Sequence, residues 1–232
     1  MSTRQKGLIL PVLFAVVLFF STSLYAGDTT GPYIGIGGSF AYENFGTDEL
    51  DKKLEPYGLK VDFDNSLGVN AKVGYHFNRW LAFEFNFDYL PNFEWDGSTT
   101  YLGIPIKVSA DVDITTYMLA GKLSPDIGSA TVRPFIAGGF GWMHGEVEAR
   151  ASAMGTSAST SDSETAPCAK IGLGIALFAS KNVSVEIEGS YVWSFGNDEI
   201  RDINYEIRYM NLTLGVAYHF HCCPLLRGAR GI

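Results

Sequence analysis

The sequence predicts an all-β protein, an eight-stranded antiparallel up-and-down transmembrane β-barrel. Three observations carry that prediction. Eight segments alternate apolar and polar residues with period two, the pattern of strands with one apolar face. The connections between them alternate short and long. Aromatic residues collect near both ends of the segments, as two belts bracketing an apolar band.

Residues 1–26 of the 232 read as a secretory signal peptide. Arg4 and Lys6 give a positive start, and "LILPVLFAVVLFF" is an apolar run too short for a spanning helix. "STSLYA" follows, with small Ala26 at the cut. Without the leader, 15 Lys and Arg stand against 25 Asp and Glu, a net charge of −10. That balance argues against a nucleic-acid partner, which needs a basic face. Two homes suit an exported chain with apolar strands and no helical span. One is a soluble sandwich or lipocalin-like barrel. The other is the outer membrane of a diderm bacterium.

Residues 27–220 hold the barrel. "PYIGIGGSFAYENF" sets Ile34, Ile36, Phe40 and Tyr42 against Gly35, Gly37, Ser39 and Ala41. "SLGVNAKVGYHF" sets Leu67, Val69, Val73 and Tyr75 against Gly68, Asn70, Lys72 and Gly74. "LAFEFNFDYL" sets Phe83, Phe85, Phe87 and Tyr89 against Ala82, Glu84, Asn86 and Asp88. The fourth segment, "KVSADVDITTYMLAGKL", is read with Val108, Val112, Ile114 and Met118 on its apolar face. "RPFIAGGFGWM" presents Ile136, Phe140 and Trp142, and "AKIGLGIALF" presents Ile171, Leu173 and Ile175. "VSVEIEGSYVW" sets Val185 and Ile187 against Glu186 and Glu188. "IRYMNLTLGVAYHF" ends the series with Leu212, Leu214, Val216, Tyr218 and Phe220.

The connections at Asn78, at 124–131 and at 180–182 are short, whereas 46–65, 96–105, 145–167 and 194–204 are long and polar. Outer-membrane barrels segregate their loops in this way, and both termini then fall on the periplasmic, short-turn side. A Greek-key sandwich has no reason to do so. "SAMGTSASTSDSET" reads as a mobile surface loop. The faces opposite the aromatics are rich in Gly, Ser and Ala and also carry charges, which suits a narrow interior filled by its own side chains. The aromatics therefore face lipid, and Glu84 and Asp88 face inward.

"PYIGIGGSF", "VDITTYMLAGKL", "RPFIAGGFGW" and "NLTLGVAYHF" resemble strands of small outer-membrane β-barrels of the OmpA/OmpX-like class. The resemblance covers residues 31–220. It implies a barrel in the bacterial outer membrane. It also implies an aromatic assembly signal closing the last strand, a role Phe220 fits, although "HCCPLLRGARGI" follows as a periplasmic tail, 221–232. The implied partners are outer-membrane lipid and lipopolysaccharide, the barrel-assembly machinery, and an extracellular ligand at the loops. No cofactor is expected.

Interior charges are the first candidate site. A three-residue turn after Phe77 puts Lys72 across from Asn86, diagonal to Glu84 and Asp88. Lys170 can approach Glu186 or Glu188 on the next strand. The resemblance implies a structural ion-pair network of Lys72, Glu84, Asp88, Lys170, Glu186 and Glu188. The alternative is a proton or ion path, which a filled interior disfavours. His219, His221, Cys222 and Cys223 include donors suited to Zn²⁺ or Cu⁺, but their spacing matches no standard motif. Cys168 lies at the opposite end and cannot reach that pair to form a disulfide. His144 and Glu146, with Ser residues following, stand at the height where lipid A-modifying enzymes place their catalytic groups; the sequence fixes no geometry for them. The expectation is a non-enzymatic surface barrel acting through long extracellular loops. The alternatives are OmpW-like passage of small apolar solutes, or a lipid A-modifying enzyme.

Overall fold

A computed structural model describes residues 30–43, 64–101, 104–129, 131–153, 156–195, 198–200, 203–205 and 207–220. The leader assigned to 1–26 and the tail 221–232 lie outside them. Among the described residues ten strands occur in chain order: β1 (Gly31–Glu43), β2 (Ser66–His76), β3 (Leu81–Tyr101), β4 (Ile104–Leu123), β5 (Val132–Ala153), β6 (Thr156–Phe178), β7 (Val183–Ser194), β8 (Asp198–Ile200), β9 (Ile203–Tyr205) and β10 (Arg208–His219). Eight of them close a barrel in the order β1-β10-β7-β6-β5-β4-β3-β2, while β8 and β9 pair with each other and, among the described residues, with no other strand. Every barrel neighbour is antiparallel, and β1 closes on β10 through register pairs such as Ile36 with Val216. Closure satisfies the backbone hydrogen bonds that an open edge would leave unpaired in hydrocarbon.

The pleat sorts the residues. Phe83 and Phe85 are 54% and 41% exposed, whereas Glu84 between them is 2% exposed. The aromatic face of β3 therefore points outward and the acids point into the barrel. The exposed residues include Ile34, Ile36, Val73, Tyr75, Phe140, Trp142, Ile171, Leu173, Leu212 and Tyr218. Such an apolar exterior is the inverse of a soluble barrel.

The fourth strand departs from the expected parity. Val112, Ile114 and Met118 are buried inside, and Tyr117, Leu119 and Leu123 form the outer face. Both faces of β4 carry apolar residues, so alternation alone could not decide which looks outward. The register with β3 and β5 decides it, pairing Leu119 with Phe85 and with Phe140.

The long connections also differ from expectation. The stretches expected as loops at 96–105 and 145–167 are largely strand: β3 and β4 pair out to Tyr101 with Ile104, and β5 and β6 out to Ala153 with Thr156. Small polar residues have weak strand preference, but each position here has a cross-strand partner and inherits the register from the barrel below. Above the barrel β3 carries a bulge. The register shifts between Leu90 and Phe93, and Asn92 has φ 58°. The extra residue keeps both Leu90 and Phe93 inward.

Short turns close the other end. Asn78 Oδ1 accepts from the N–H groups of Trp80 and Leu81, each at 2.9 Å, and Ser180 Oγ accepts from Val183 N–H at 3.1 Å. Asp126 caps the Gly128 N–H at 2.9 Å, where φ is 74°.

Candidate functional site

The barrel interior has two layers. Toward the long hairpins, Leu90, Phe93, Val112, Ile114, Met118, Met143, Cys168, Val192, Ile207 and Tyr209 form one buried apolar cluster. Below it lies a charged layer. Lys122 on β4 reaches Glu84 on β3 at 3.1 Å and Glu186 on β7 at 3.0 Å. Lys72 on β2 also pairs with Glu186, and Lys170 on β6 pairs with Glu188 on β7 at 2.9 Å. Tyr33 Oη donates to Glu84 at 2.6 Å, and Asn86 Nδ2 donates to the same carboxylate at 3.1 Å. Asp88 accepts from Asn70 Nδ2 at 2.8 Å, with Ser39 and Thr116 hydroxyls at 3.5 and 3.4 Å.

Lys72 does lie opposite Asn86 in the register. Its ammonium nonetheless crosses the interior to Glu186 rather than settling on the diagonal acids Glu84 or Asp88. In a barrel this narrow, a long side chain reaches strands that are not its neighbours. Lys170 takes Glu188 of its two candidates. Sequence reasoning missed Lys122, and the cause is the β4 parity. With Ile114 and Met118 assigned to lipid, Lys122 on the same face looked outward too. Arg133 was also missed; it is buried, with its guanidinium 4.5 Å above the Phe178 ring.

At the short-turn end, Tyr33, His76 and His219 pack as a buried group with their rings tilted against one another. The ring centres lie 4.7 Å apart for Tyr33 and His76, and 5.4 Å apart for His76 and His219. Ser184 Oγ lies 2.8 Å from His219 Nε2. His221, Cys222 and Cys223 lie outside the described residues. Phe220 is exposed at the barrel rim, and its N–H donates to Pro32 O at 2.9 Å.

The second candidate is the sheet above the barrel. β3, β4, β5 and β6 hold 21, 20, 22 and 23 residues, against 13, 11, 12 and 12 for β1, β2, β7 and β10. A bilayer-crossing strand needs about 9–11 residues, so the four long strands continue past the membrane as one sheet. Its outward face carries Glu94, Asp111, Asp113, Glu146 and Glu148, with Arg150 bridging Glu148 at 2.8 Å. His144 stands on this face between Thr165 Oγ1, 2.8 Å from Nδ1, and Glu146, 3.4 Å from Nε2. Hydroxyl, imidazole and carboxylate thus line up in order, all open to water. Asp113, the register partner of Glu146, and Glu148 line the same face, and their charge opposes a developing oxyanion.

A closed barrel with an apolar exterior, a paired ionic interior and long hairpins at one end defines an outer-membrane barrel. The chain matches the family described as outer membrane protein beta-barrel domain over residues 12–220 and belongs to that family; it is a protein of the bacterial outer membrane. Among solved structures it is similar to Neisserial surface protein A, with a TM-score of 0.53 at 13% identity over 84% of this chain and 99% of that one. It is also similar to a major outer membrane protein from Thermus thermophilus, with a TM-score of 0.50 at 13% identity over 81% and 99%. Ail, the attachment invasion locus protein of Yersinia pestis, aligns with a TM-score of 0.46 at 20% identity over 82% and 99%. No curated protein sequence matches the chain.

Proposed function

We propose that the protein is a non-enzymatic surface barrel whose projecting sheet engages an extended polypeptide by strand addition. One observation carries this reading: β6 continues from Pro167 up to Thr156 paired to β5 on one side, while among the described residues its strand pairing with β7 begins at Cys168. The Phe195 N–H donates to Pro167 O at 2.8 Å, so the backbone of Pro167 faces the β7 side. By period two, Ser157, Ser159, Ser161, Ser163 and Thr165 point their backbone groups the same way. Asp162 occupies the Ser163 N–H at 2.9 Å. Between 156 and 166 this edge has no Lys, no Pro and no bulge, and its charges are confined to Asp162 and Glu164. Such a strand is a template for β-augmentation.

The apolar cluster filling the extracellular half of the barrel weighs against passage of a solute through the interior. The carboxylates around His144 weigh against acyl transfer at Thr165. In this reading the short turns face the periplasm and the leader 1–26 is removed on export. The barrel-assembly machinery inserts the chain with Phe220 as its terminal aromatic, and lipopolysaccharide surrounds the outer half.

A deletion strain complemented with the full chain, or with a chain whose β5–β6 hairpin is cut back from 147–163 to a short turn, tests the proposal. Surface adhesion returns with the full chain only, and uptake of small apolar solutes is the same in both. Adhesion restored equally by the trimmed barrel overturns the reading.

A further inference from the structure

We propose that β3, β4 and β5 hold one phospholipid of the periplasmic leaflet at a fixed site, its phosphodiester in a cavity beside Arg79 and one acyl chain in an outward groove over Gly121 and Gly138. The choice of leaflet rests on the short turns facing the periplasm; strand addition at the other end plays no part in it. A cavity of about 150 Å³ opens at the short-turn end, and its polar lining is Arg79, Trp80, Ser124, Asp126, Ser129 and Arg133. Trp80 is 54% exposed there. Exposed tryptophan sits at the headgroup level of a bilayer.

The chemistry of the cavity suits an anion. Arg79 is exposed and, among the described residues, forms no ion pair. Asp126, the acid of the lining, is turned to the Gly128 N–H at 2.9 Å. Ser129 Oγ already accepts from the N–H groups of Thr131 and Val132, at 3.3 and 3.0 Å. Its own proton is left to donate, and a phosphate oxygen accepts it. Arg133 adds a second guanidinium, held 4.5 Å above the Phe178 ring. Two guanidinium groups against one carboxylate leave an excess positive charge, and the guanidinium fork matches phosphate oxygens. The turns that carry these groups are fixed to each other: Ser124 N–H donates to Trp80 O at 2.8 Å.

Further along the same strands, the lipid-facing exterior carries a groove of about 690 Å³. Gly121 on β4 is paired with Gly138 on β5 and with Phe83 on β3. A Cβ added to Gly138 meets nothing within 4 Å, and one added to Gly121 comes no nearer than 3.7 Å to Phe83. Backbone therefore floors the groove, and Tyr75, Phe83, Phe85, Leu119 and Phe140 wall it. Gly121 precedes Ser124 by three residues, about 10 Å of strand. A free phosphate would answer the charge of the cavity and leave the groove open. A second barrel would cover the groove and leave that charge unanswered. A phospholipid, with its head at the turns and a tail along the strands, meets both.

The test titrates the exported chain, refolded in detergent micelles, with phosphatidylglycerol and reads retained lipid by native mass spectrometry. One lipid is expected to stay bound to the wild type. Arg79→Gln is expected to weaken retention about tenfold, the scale of one lost hydrogen bond to a charged group. Gly138→Leu fills the groove from outside and is expected to weaken retention comparably. Gly38→Leu on β1, where an added Cβ also meets nothing within 4 Å, is expected to leave it unchanged. Excess glycerol phosphate, which has the head and no tail, is expected not to displace the lipid. Wild-type retention in Arg79→Gln overturns the proposal, as does equal weakening by both leucine variants, which marks a general lipid annulus. Displacement by glycerol phosphate, a barrel dimer that Gly138→Leu dissolves, or no lipid held by the wild type also overturns it. Should Gly138→Leu fail to fold, Gly138→Val takes its place. Micelle binding is blind to orientation, so protease cleavage of the short turns from outside whole cells would overturn the leaflet, and lost retention the site; the two failures are distinguishable.

Discussion

Lys122 Nζ on β4 lies 3.0 Å from the Glu186 carboxylate on β7, across the barrel interior. The same ammonium is 3.1 Å from Glu84, and both acids are buried. Lys122 therefore serves two carboxylates, while Lys72 serves Glu186 alone. Removing one partner of a buried ion pair costs about 3–5 kcal/mol, because the charge left behind is uncompensated. Lys122→Met is expected to destabilise the barrel by about that amount. Lys72→Met is expected to cost less, since Glu186 keeps Lys122. Urea unfolding in lipid vesicles, followed by tryptophan fluorescence, gives the order. A larger loss for Lys72→Met would contradict the hub role of Lys122.

Lys170 and Glu188 form a more isolated pair, at 2.9 Å, with both side chains nearly fully buried. Here the single and double variants should diverge. Lys170→Met leaves Glu188 buried and unpaired, a loss of about 3–5 kcal/mol. Adding Glu188→Gln removes the orphaned charge, and the double variant is expected to recover most of that loss, since deleting both partners can be nearly neutral. A double-mutant cycle in the same unfolding assay reads the coupling. Strictly additive losses would show that the two groups do not depend on each other.

How much of this was legible in the sequence follows from what alternation can and cannot encode. Where one face is uniformly large and apolar, as with Phe83, Phe85 and Phe87 on β3, period two gave the strand and its orientation together. The inward Lys72, Glu84, Asp88, Lys170, Glu186 and Glu188 came from the same reasoning. On β4 both faces are apolar, so the orientation was misjudged and Lys122 was hidden with it. Pairing across the lumen, such as Lys72 with Glu186, is set by barrel diameter and strand stagger, which no local pattern records. The upper halves of β5 and β6 were hidden for a different reason. Ser, Thr and Ala have little strand preference of their own, and those strands extend because the paired barrel beneath fixes their register.

Glycines test how closely the interior is packed. A Cβ built on Gly74 would stand 2.4 Å from Tyr33 Cζ and 2.6 Å from its hydroxyl. That ring cannot swing away without giving up its 2.6 Å bond to Glu84. Gly74→Ala is expected to cost about 1–3 kcal/mol, the usual range for overpacking. Gly138 faces outward, and an added Cβ there meets nothing within 4 Å. Gly138→Ala is expected to be neutral or to gain about 0.5–1 kcal/mol from the reduced freedom of the unfolded chain. Unfolding midpoints of the two variants should move in opposite directions or differ clearly; equal destabilisation would mean that the Tyr33 contact is not what limits position 74.

Proline offers a test of the projecting strand by parity. Phe178 N–H donates to Thr131 O at 2.8 Å, and Phe195 N–H donates to Pro167 O at 2.8 Å. Even-numbered residues of β6 therefore point their backbone groups at β5, and odd-numbered ones point toward the β7 side, where no strand pairs beyond Cys168 among the described residues. A proline lacks the N–H and is tolerated only where that group has no ladder partner. Pro167 already stands at such an odd position. Ser159→Pro and Ser161→Pro are thus expected to leave the β5–β6 hairpin intact while removing donors from its open edge. Thr160→Pro deletes a bond to β5 opposite Ala149 and is expected to open the hairpin. Limited proteolysis of whole cells separates them, with rapid cleavage within 150–165 only in Thr160→Pro. If Ser159→Pro is cleaved as fast as Thr160→Pro, the odd-numbered N–H groups are engaged and the edge is not open.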